Sequence, residues 1–317
     1  MTLADVLAFD PMPAGLSAAE QRRILGLQAN LWTEHVRTDA RAAWMIFPRA
    51  LAIAEIGWTG QKRDITRFVS QVVPQVDRLR MLGIVAADSA WAVTARLDTM
   101  SGAVRTTLTT QAGLPIRYTL DGTPPTTSAQ LYVGPLTLAP GQRLRAATFL
   151  AGRALPGGYD AQVTTAAALT RTSRELTLCS DAVALDLEDD YPATGPRARF
   201  LLDIFNPCWR WDAAPVAQAR RIAVTVGQLP FNFQVGEDRA KVRFKPPTTP
   251  AGEFEVRRGC DGERIAVLPL APATRRPGTT RLVATLPRLP ATADLCLTYT
   301  AKGVDPLWAL DRVELLP

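Results

Sequence analysis

Three groups of residues in this chain have the types and spacing to do chemistry. In the first, Trp32 and Glu34 come just after a short apolar run, Arg23-Ile24-Leu25-Gly26-Leu27-Gln28, that suits a buried strand. An indole stacks on the apolar face of a pyranose, and a carboxylate accepts hydrogen bonds from its hydroxyls. Taken alone, the pair reads better as a buried Trp and a salt-bridged Glu. The second group is Trp209 and Trp211, in Asn206-Pro207-Cys208-Trp209-Arg210-Trp211. With Trp recurring at strand period, one is expected in a core and the other exposed as an aromatic platform for sugar. The third is the four cysteines, Cys179, Cys208, Cys260 and Cys296, all in the last half of the chain and none in a CxxC pair. Metal sites usually need closer ligand spacing and histidines, so no metal is expected. Two disulfides in an oxidising compartment are favoured, with four buried free thiols as the alternative. The one histidine, His35, would have to serve any Ser-His-Asp or Cys-His scheme. Beside Glu34 it reads instead as a solvated loop residue.

Composition narrows the field further. A chain of 317 residues, 47% hydrophobic and 21% charged, is ordinary for a globular protein with two or three domains. The net charge of +6 could suggest nucleic acid, but the Arg residues are scattered rather than clustered with aromatics. No nucleic-acid partner is expected. The nearest thing to a membrane span, Ala42 to Trp58, is interrupted by Pro48, Arg49 and Glu55. Met1 leads into Thr2-Leu3-Ala4-Asp5-Val6 without a basic region and apolar core, so no signal peptide is expected.

The elements that must position these residues fall into three segments. Residues 1–97 read as mostly helical. Ser17-Ala18-Ala19-Glu20 is a capping box, a helix starts at Thr38-Asp39, and Pro48 should end or kink it and start another. Asp64 to Leu82 sets Ile65, Phe68, Val69, Val72, Val76 and Leu79 on one face. Residues 98–165 alternate short strand-like runs with turn clusters such as Asp121-Gly122-Thr123-Pro124-Pro125, the pattern of a small antiparallel sandwich. Ala166 to Ser173 reads as a linker. Residues 174–317 are again β in character, with strands at 254–256, 265–268, 282–286 and 295–299.

Ile24-Leu25-Gly26-Leu27-Gln28-Ala29-Asn30-Leu31-Trp32-Thr33-Glu34, followed by Phe47-Pro48-Arg49-Ala50-Leu51-Ala52-Ile53-Ala54-Glu55, closely resembles the last strand and helix of the catalytic barrel of family 20 β-N-acetylhexosaminidases. Tyr118-Thr119-Leu120-Asp121-Gly122-Thr123-Pro124-Pro125, with Leu131-Tyr132 and Gly134-Pro135, resembles the chitobiase/hexosaminidase carboxyl-terminal β domain. There Asp-Gly would supply a tight hairpin turn, with Tyr118 and Tyr132 in the core. More loosely, 254–268, 294–299 and 307–311 resemble galactose-binding-like jelly rolls such as carbohydrate-binding module family 6. At the places where those modules hold sugar, this chain has Thr274-Arg275-Arg276-Pro277 and Trp308-Ala309-Leu310-Asp311, so the usual contacts are missing or displaced. That resemblance also implies a Cys260–Cys296 bond between neighbouring strands, leaving Cys179 to pair with Cys208.

Together the resemblances imply a multidomain chain: an α/β remnant of a TIM barrel (residues 1–97), a small β domain (98–165) and a β-sandwich (174–317). They imply that Trp32 lines the pocket for a terminal N-acetylhexosamine and that Glu34 bonds a hydroxyl on its far side. The family's mechanism is substrate-assisted: the acetamido oxygen attacks the anomeric carbon, an Asp orients the amide, and the adjacent Glu protonates the leaving oxygen. This chain contains no Asp-Glu dipeptide. The expectation is thus a fragment of a periplasmic or secreted exo-acting β-N-acetylhexosaminidase, without cofactor and inactive alone. Its partners would be N-acetylhexosamine-containing glycans or chito-oligosaccharides and the missing amino-terminal part of the barrel. The alternative is a non-catalytic carbohydrate-binding or scaffold protein.

Overall fold

The computed structural model describes residues 1–317 apart from 61–63, 243 and 275–276. Arg275 and Arg276, two of the residues at the place of the modules' sugar contacts, lie outside the described residues. The chain divides into two compact units, Met1–Thr164 and Thr165–Pro317. Each is dominated by sheet outside the first 82 residues.

The first unit begins with short capped helices. Thr2 and Asp5 form a reciprocal box at Leu3–Leu7, and Ser17 and Glu20 another at Ala18–Gln21. Thr38 caps Asp39–Ile46, Pro48 separates that helix from Arg49–Thr59, and Asp64 caps Ile65–Met81. The Arg49 guanidinium donates back to the carbonyls of Met45 (2.8 Å) and Met1 (3.2 Å), tying the two sides of the break together. The 65–81 helix buries Phe68, Val69, Val72, Val73 and Val76 against Leu3, Val6, Leu7, Ala52 and Trp91. This apolar stripe at helical spacing gives the segment its core.

The expected barrel strand is not formed. Residues 24–30 have no regular structure, and Leu25 is 97% exposed. A strand exists by exchanging hydrogen bonds with a neighbour, and none of the described strands pairs with this stretch. The expected α/β remnant is therefore helical alone. Leu27 still packs on the Arg49–Thr59 helix, where a Cβ on Gly57 would lie 3.0 Å from its Cδ2.

The rest of the first unit is two small antiparallel sheets. One joins Thr94–Met100, Ala103–Thr109 and Leu136–Leu138; the other joins Ile116–Thr119 to Arg143–Leu150 and their shorter neighbours. Tyr118 is buried, and Tyr132 is half-buried, its hydroxyl accepting from the Leu108 N–H. Asp121-Gly122 does not close a two-residue hairpin, because Ile116–Thr119 pairs with the distant Gln130–Leu131. Asp121 instead accepts from the Thr123 N–H and hydroxyl in an Asx turn, which Gly122 completes at φ +82°.

The second unit is a β-sandwich. A five-stranded sheet runs Thr177–Leu178, Cys208–Ala214, Ala293–Tyr299, Glu253–Arg258 and Arg264–Pro269. A four-stranded sheet runs Thr280–Thr285, Arg221–Leu229, Leu307–Leu316 and Thr170–Thr172. Trp209, Phe254, Leu268, Leu295 and Tyr299 from one sheet and Ile222, Val224, Leu307 and Leu310 from the other belong to one core. The stretch expected as a linker supplies an edge strand: Thr170–Thr172 pairs with Arg312–Glu314. Its short length and alternating polar residues disguise a strand whose inward residue, Arg171, is buried.

Glu253 holds the end of this sandwich. It is fully buried and accepts from the Thr300 hydroxyl (2.6 Å), the Thr248 hydroxyl (2.9 Å), and the Thr248 and Thr249 N–H groups. Burial by itself pushes its pKa up, but the hydrogen bonds from Thr300, Thr249 and Thr248 outweigh it and hold the carboxyl at about 2. A depressed carboxylate contributes stability above its ordinary value, and that stability is lost as pH falls from about 4.5 to about 2. Glu253→Gln would turn an acceptor into an NH₂ facing the Thr248 N–H. It should cost about 2 kcal/mol at neutral pH, roughly 4–8 °C of melting temperature. The deficit should shrink through that acid window in thermal melts. A pH-independent deficit would show that Glu253 titrates normally.

Candidate functional site

Trp32 immediately precedes a tight turn over 33–36, closed by the Val36 N–H donating to the Thr33 carbonyl at 3.1 Å. Trp32 is 74% exposed, and Glu34 is half-buried. His35 is buried at 6% exposure, not solvated as its loop position suggested. Close to this segment in sequence, the Arg49–Thr59 and Ile65–Met81 helices leave a hollow of about 320 Å³ lined by Leu51, Glu55, Trp58, Phe68, Val72 and Gln75. Trp58 is 90% exposed.

The second tryptophan pair departs from expectation. Trp209 and Trp211 are both buried, at 0% and 3% exposure. Residues two apart in a strand share a face, so the same pleat that buries one buries the other. The Trp209 Nε1–H donates to the Leu201 carbonyl at 2.7 Å, and the Arg171 guanidinium lies over the Trp211 ring at 5.0 Å. Neither ring is an open sugar platform. Trp308, at the other expected contact, is also in the core.

The sandwich does carry a pocket, in a place that sequence reasoning missed. The turn between Ala184–Glu188 and Arg199–Asp203 meets residues 277–279 around a cavity of about 390 Å³. Its lining includes Asp189, Tyr191, Pro192, Pro196, Pro277 and Thr279. Asp189 is 1% exposed; Oδ1 accepts from the Tyr191 N–H at 3.1 Å, while the buried Oδ2 accepts no hydrogen bond among the described residues. Burial, reinforced by Asp190, pushes the Asp189 carboxyl up against the opposing pull of Arg197. Arg197 braces the turn by donating to the Pro192 (2.7 Å) and Ala193 (3.2 Å) carbonyls. Tyr191 is half exposed. An aromatic ring between proline walls suits a ligand with an apolar face. The signal available in the sequence was Glu188-Asp189-Asp190-Tyr191-Pro192, acids and an aromatic held in one turn between strands.

Two disulfides cross-link the sandwich, Cys179–Cys208 and Cys260–Cys296, with Cα separations of 5.4 and 5.0 Å. They fit an extracellular or secreted protein. No helix of the described residues is long and apolar enough to cross a membrane.

Comparison with known proteins finds likenesses in both the helical segment and the small sheets of the first unit. Residues 1–61 match the glycosyl hydrolase family 20 catalytic domain, and residues 97–155 match the chitobiase/β-hexosaminidase C-terminal domain. The first half of the chain is thus similar to parts of hexosaminidase-family proteins. It is similar to the β-hexosaminidase of Porphyromonas gingivalis, 34% identical over 154 residues that make up 47% of this chain and 20% of that protein. It is also similar to β-hexosaminidase B of Pseudoalteromonas piscicida, 54% identical over 33 residues, covering 10% of this chain and 4% of that one. The chain therefore spans a fifth or less of the length of these relatives. Among solved structures, the carbohydrate-binding module CsCBM6-3 of Clostridium stercorarium, in complex with cellobiose, is similar at 11% identity and a TM-score of 0.31. That match covers 46% of this chain and 91% of the module, a likeness too distant to assign a ligand.

The Asp189 environment sets a pH-dependent expectation. A carboxyl whose pKa is raised on folding leaves stability intact at low pH and removes it as pH rises through the raised value. Asp189→Asn keeps the acceptor for Tyr191 and removes the buried charge. Relative to wild type, the variant should gain stability as pH rises from about 3 to 8, by about 1.4 kcal/mol for each unit of elevation. Paired thermal melts across that range check this, and a constant difference between the two proteins would contradict it.

Proposed function

We propose that this chain is the carboxyl-terminal portion of an exo-acting β-N-acetylhexosaminidase that removes terminal N-acetylhexosamine from glycans or chito-oligosaccharides. The observation that carries the reading is the exposed Trp32, next to the turn that holds Glu34, lying inside the segment that matches the family 20 catalytic domain. In this reading Trp32 stacks on the apolar face of the terminal sugar, and Glu34 accepts a bond from one of its hydroxyls. The Asp that orients the acetamido group and the Glu that protonates the leaving oxygen come from a part of the barrel outside this chain, which has no Asp-Glu dipeptide. That part would also pair with residues 23–28 and cover the hollow beside Trp58. The barrel remnant lies within residues 1–97, the small β domain spans 98–165 with the strand Thr94–Met100 leading into it, and the jelly-roll sandwich spans 174–317 together with its edge strand Thr170–Thr172. The compartment is the periplasm or the exterior, where the disulfides persist.

A second reading, a non-catalytic carbohydrate-binding chain, draws on the Asp189–Tyr191 pocket. There Tyr191 would lie against the sugar ring, with Asp189 in the pocket wall.

The purified chain should not turn over a chromogenic N-acetylglucosaminide above background, since neither catalytic acid is present. Measurable turnover would overturn the leading reading. In a longer protein that includes the Asp-Glu pair, Trp32→Ala should lower kcat/KM about tenfold or more, because stacking persists into the transition state. Unchanged steady-state kinetics would remove Trp32 from the pocket. For the second reading, calorimetric titration of the 317-residue chain with chito-oligosaccharides should show binding that Tyr191→Ala abolishes.

A further inference from the structure

The fold gathers all four cysteines into one place. Their sulfur atoms lie within 4.8 Å of one another, although the nearest two in sequence are 29 residues apart. Cys179 follows an edge strand, Cys208 opens the next, Cys296 sits in the strand beside that, and Cys260 lies in the turn after the fourth. Between the two disulfides, the sulfurs approach to 3.4 Å (Cys208–Cys296), 3.7 Å (Cys179–Cys260), 4.0 Å (Cys179–Cys296) and 4.0 Å (Cys208–Cys260). In a tetrahedral tetrathiolate with zinc–sulfur bonds of about 2.3 Å, every sulfur lies about 3.8 Å from every other. Four of the six edges of that tetrahedron are therefore already near their required length. The other two are the disulfide bonds themselves, which would open on reduction. The Cα atoms already stand 5.4 and 5.0 Å apart across the two bonded pairs.

We propose that the four cysteines form a convertible cross-link: two disulfides when oxidised, and a binding site for one zinc ion when reduced. The wide spacing in sequence, which argued against a metal, is no obstacle once adjacent strands carry the ligands. Reduction by two equivalents of a dithiol converts two disulfides into four thiols and leaves two dithiol-derived disulfides. Binding of Zn²⁺ then displaces four protons and leaves a tetrathiolate of charge −2. Cys208 and Cys296 are buried and Cys179 and Cys260 half-buried, so each disulfide has one sulfur within reach of a reductant. The zinc form would hold the same strands together in a reducing compartment that the disulfides hold in an oxidising one.

The test uses the full chain, reduced with a phosphine under anaerobic conditions, freed of reductant, and titrated with Zn²⁺ or Co²⁺. The expected result is one metal per chain in the native mass spectrum, the release of up to four protons per zinc in a weakly buffered pH-indicator titration, and the visible absorption of tetrahedral thiolate Co²⁺. Cys296→Ser and Cys260→Ser should each abolish that absorption, and the oxidised chain should take up no ion. If reduction unfolds the sandwich, added zinc must restore its near-ultraviolet circular dichroism. A reduced chain that binds no metal, binds it with an octahedral cobalt spectrum, or is not refolded by zinc would overturn the proposal.

Discussion

A backbone segment keeps a regular shape in this protein when its N–H and C=O groups find partners, and the strand Leu307–Leu316 shows what that constraint can organise. It pairs along one edge with Arg221–Leu229 over nearly its whole length and along the other with Thr170–Thr172. Through these two edges the end of the chain, its middle and the first residues of the second unit enter one sheet. The apolar faces of that sheet then have a fixed plane against which Trp209, Phe254 and Tyr299 can pack. In the first unit, residues 23–28 are as apolar as a barrel strand needs to be, yet they remain irregular for want of a neighbour. Hydrophobic character puts a segment near a core, but the hydrogen-bonded partner makes it a strand.

The buried carboxylates show the same accounting at side-chain scale. Glu253 is as deeply buried as any residue in the chain, and its oxygens are met by hydroxyls and N–H groups from three threonines. Glu255, one turn of the pleat away, is held between Arg257 and Arg264 at 2.9 and 2.8 Å. Both are structural, because everything a carboxylate requires is supplied from within. Asp189 differs in having one oxygen that accepts a hydrogen bond and a second, buried one that accepts none among the described residues. A buried polar atom that the fold leaves unmatched costs stability.

The sulfur cluster belongs to the architecture in the same sense. Its four residues come from a single sheet, and cross-strand neighbours on one sheet approach to within side-chain contact. Cross-links there tie the edge strand Thr177–Leu178 and the turn after Glu253–Arg258 to the two strands between them. Because they connect parts of the chain far apart in sequence, they restrict the unfolded ensemble as well as the folded one.

Much of this was legible in the residues themselves, because it rests on local rules. Ser17 with Glu20, Thr38, Pro48 and Asp64 mark helix ends that the fold reproduces, since capping and proline geometry act over three or four residues. The valines of the 65–81 helix announce their buried face by their spacing. The strands at 254–256, 265–268, 282–286 and 295–299 carry their own β-branched and aromatic signals, and the hexosaminidase-family signature around Trp32 needs no coordinates to be seen. What depended on partners was decided by the tertiary structure. The run at 23–28 lost its strand, and the linker-like Thr170-Arg171-Thr172 gained one. Trp209 and Trp211 went inside together, and Asp189 and Tyr191 came to face residues 277–279 nearly 90 positions away. Four cysteines separated by 29, 52 and 36 residues converged on a single point. Caps, turns and periodic faces are properties of neighbours in the chain, whereas strand pairing, pockets and sulfur clusters are properties of neighbours in space.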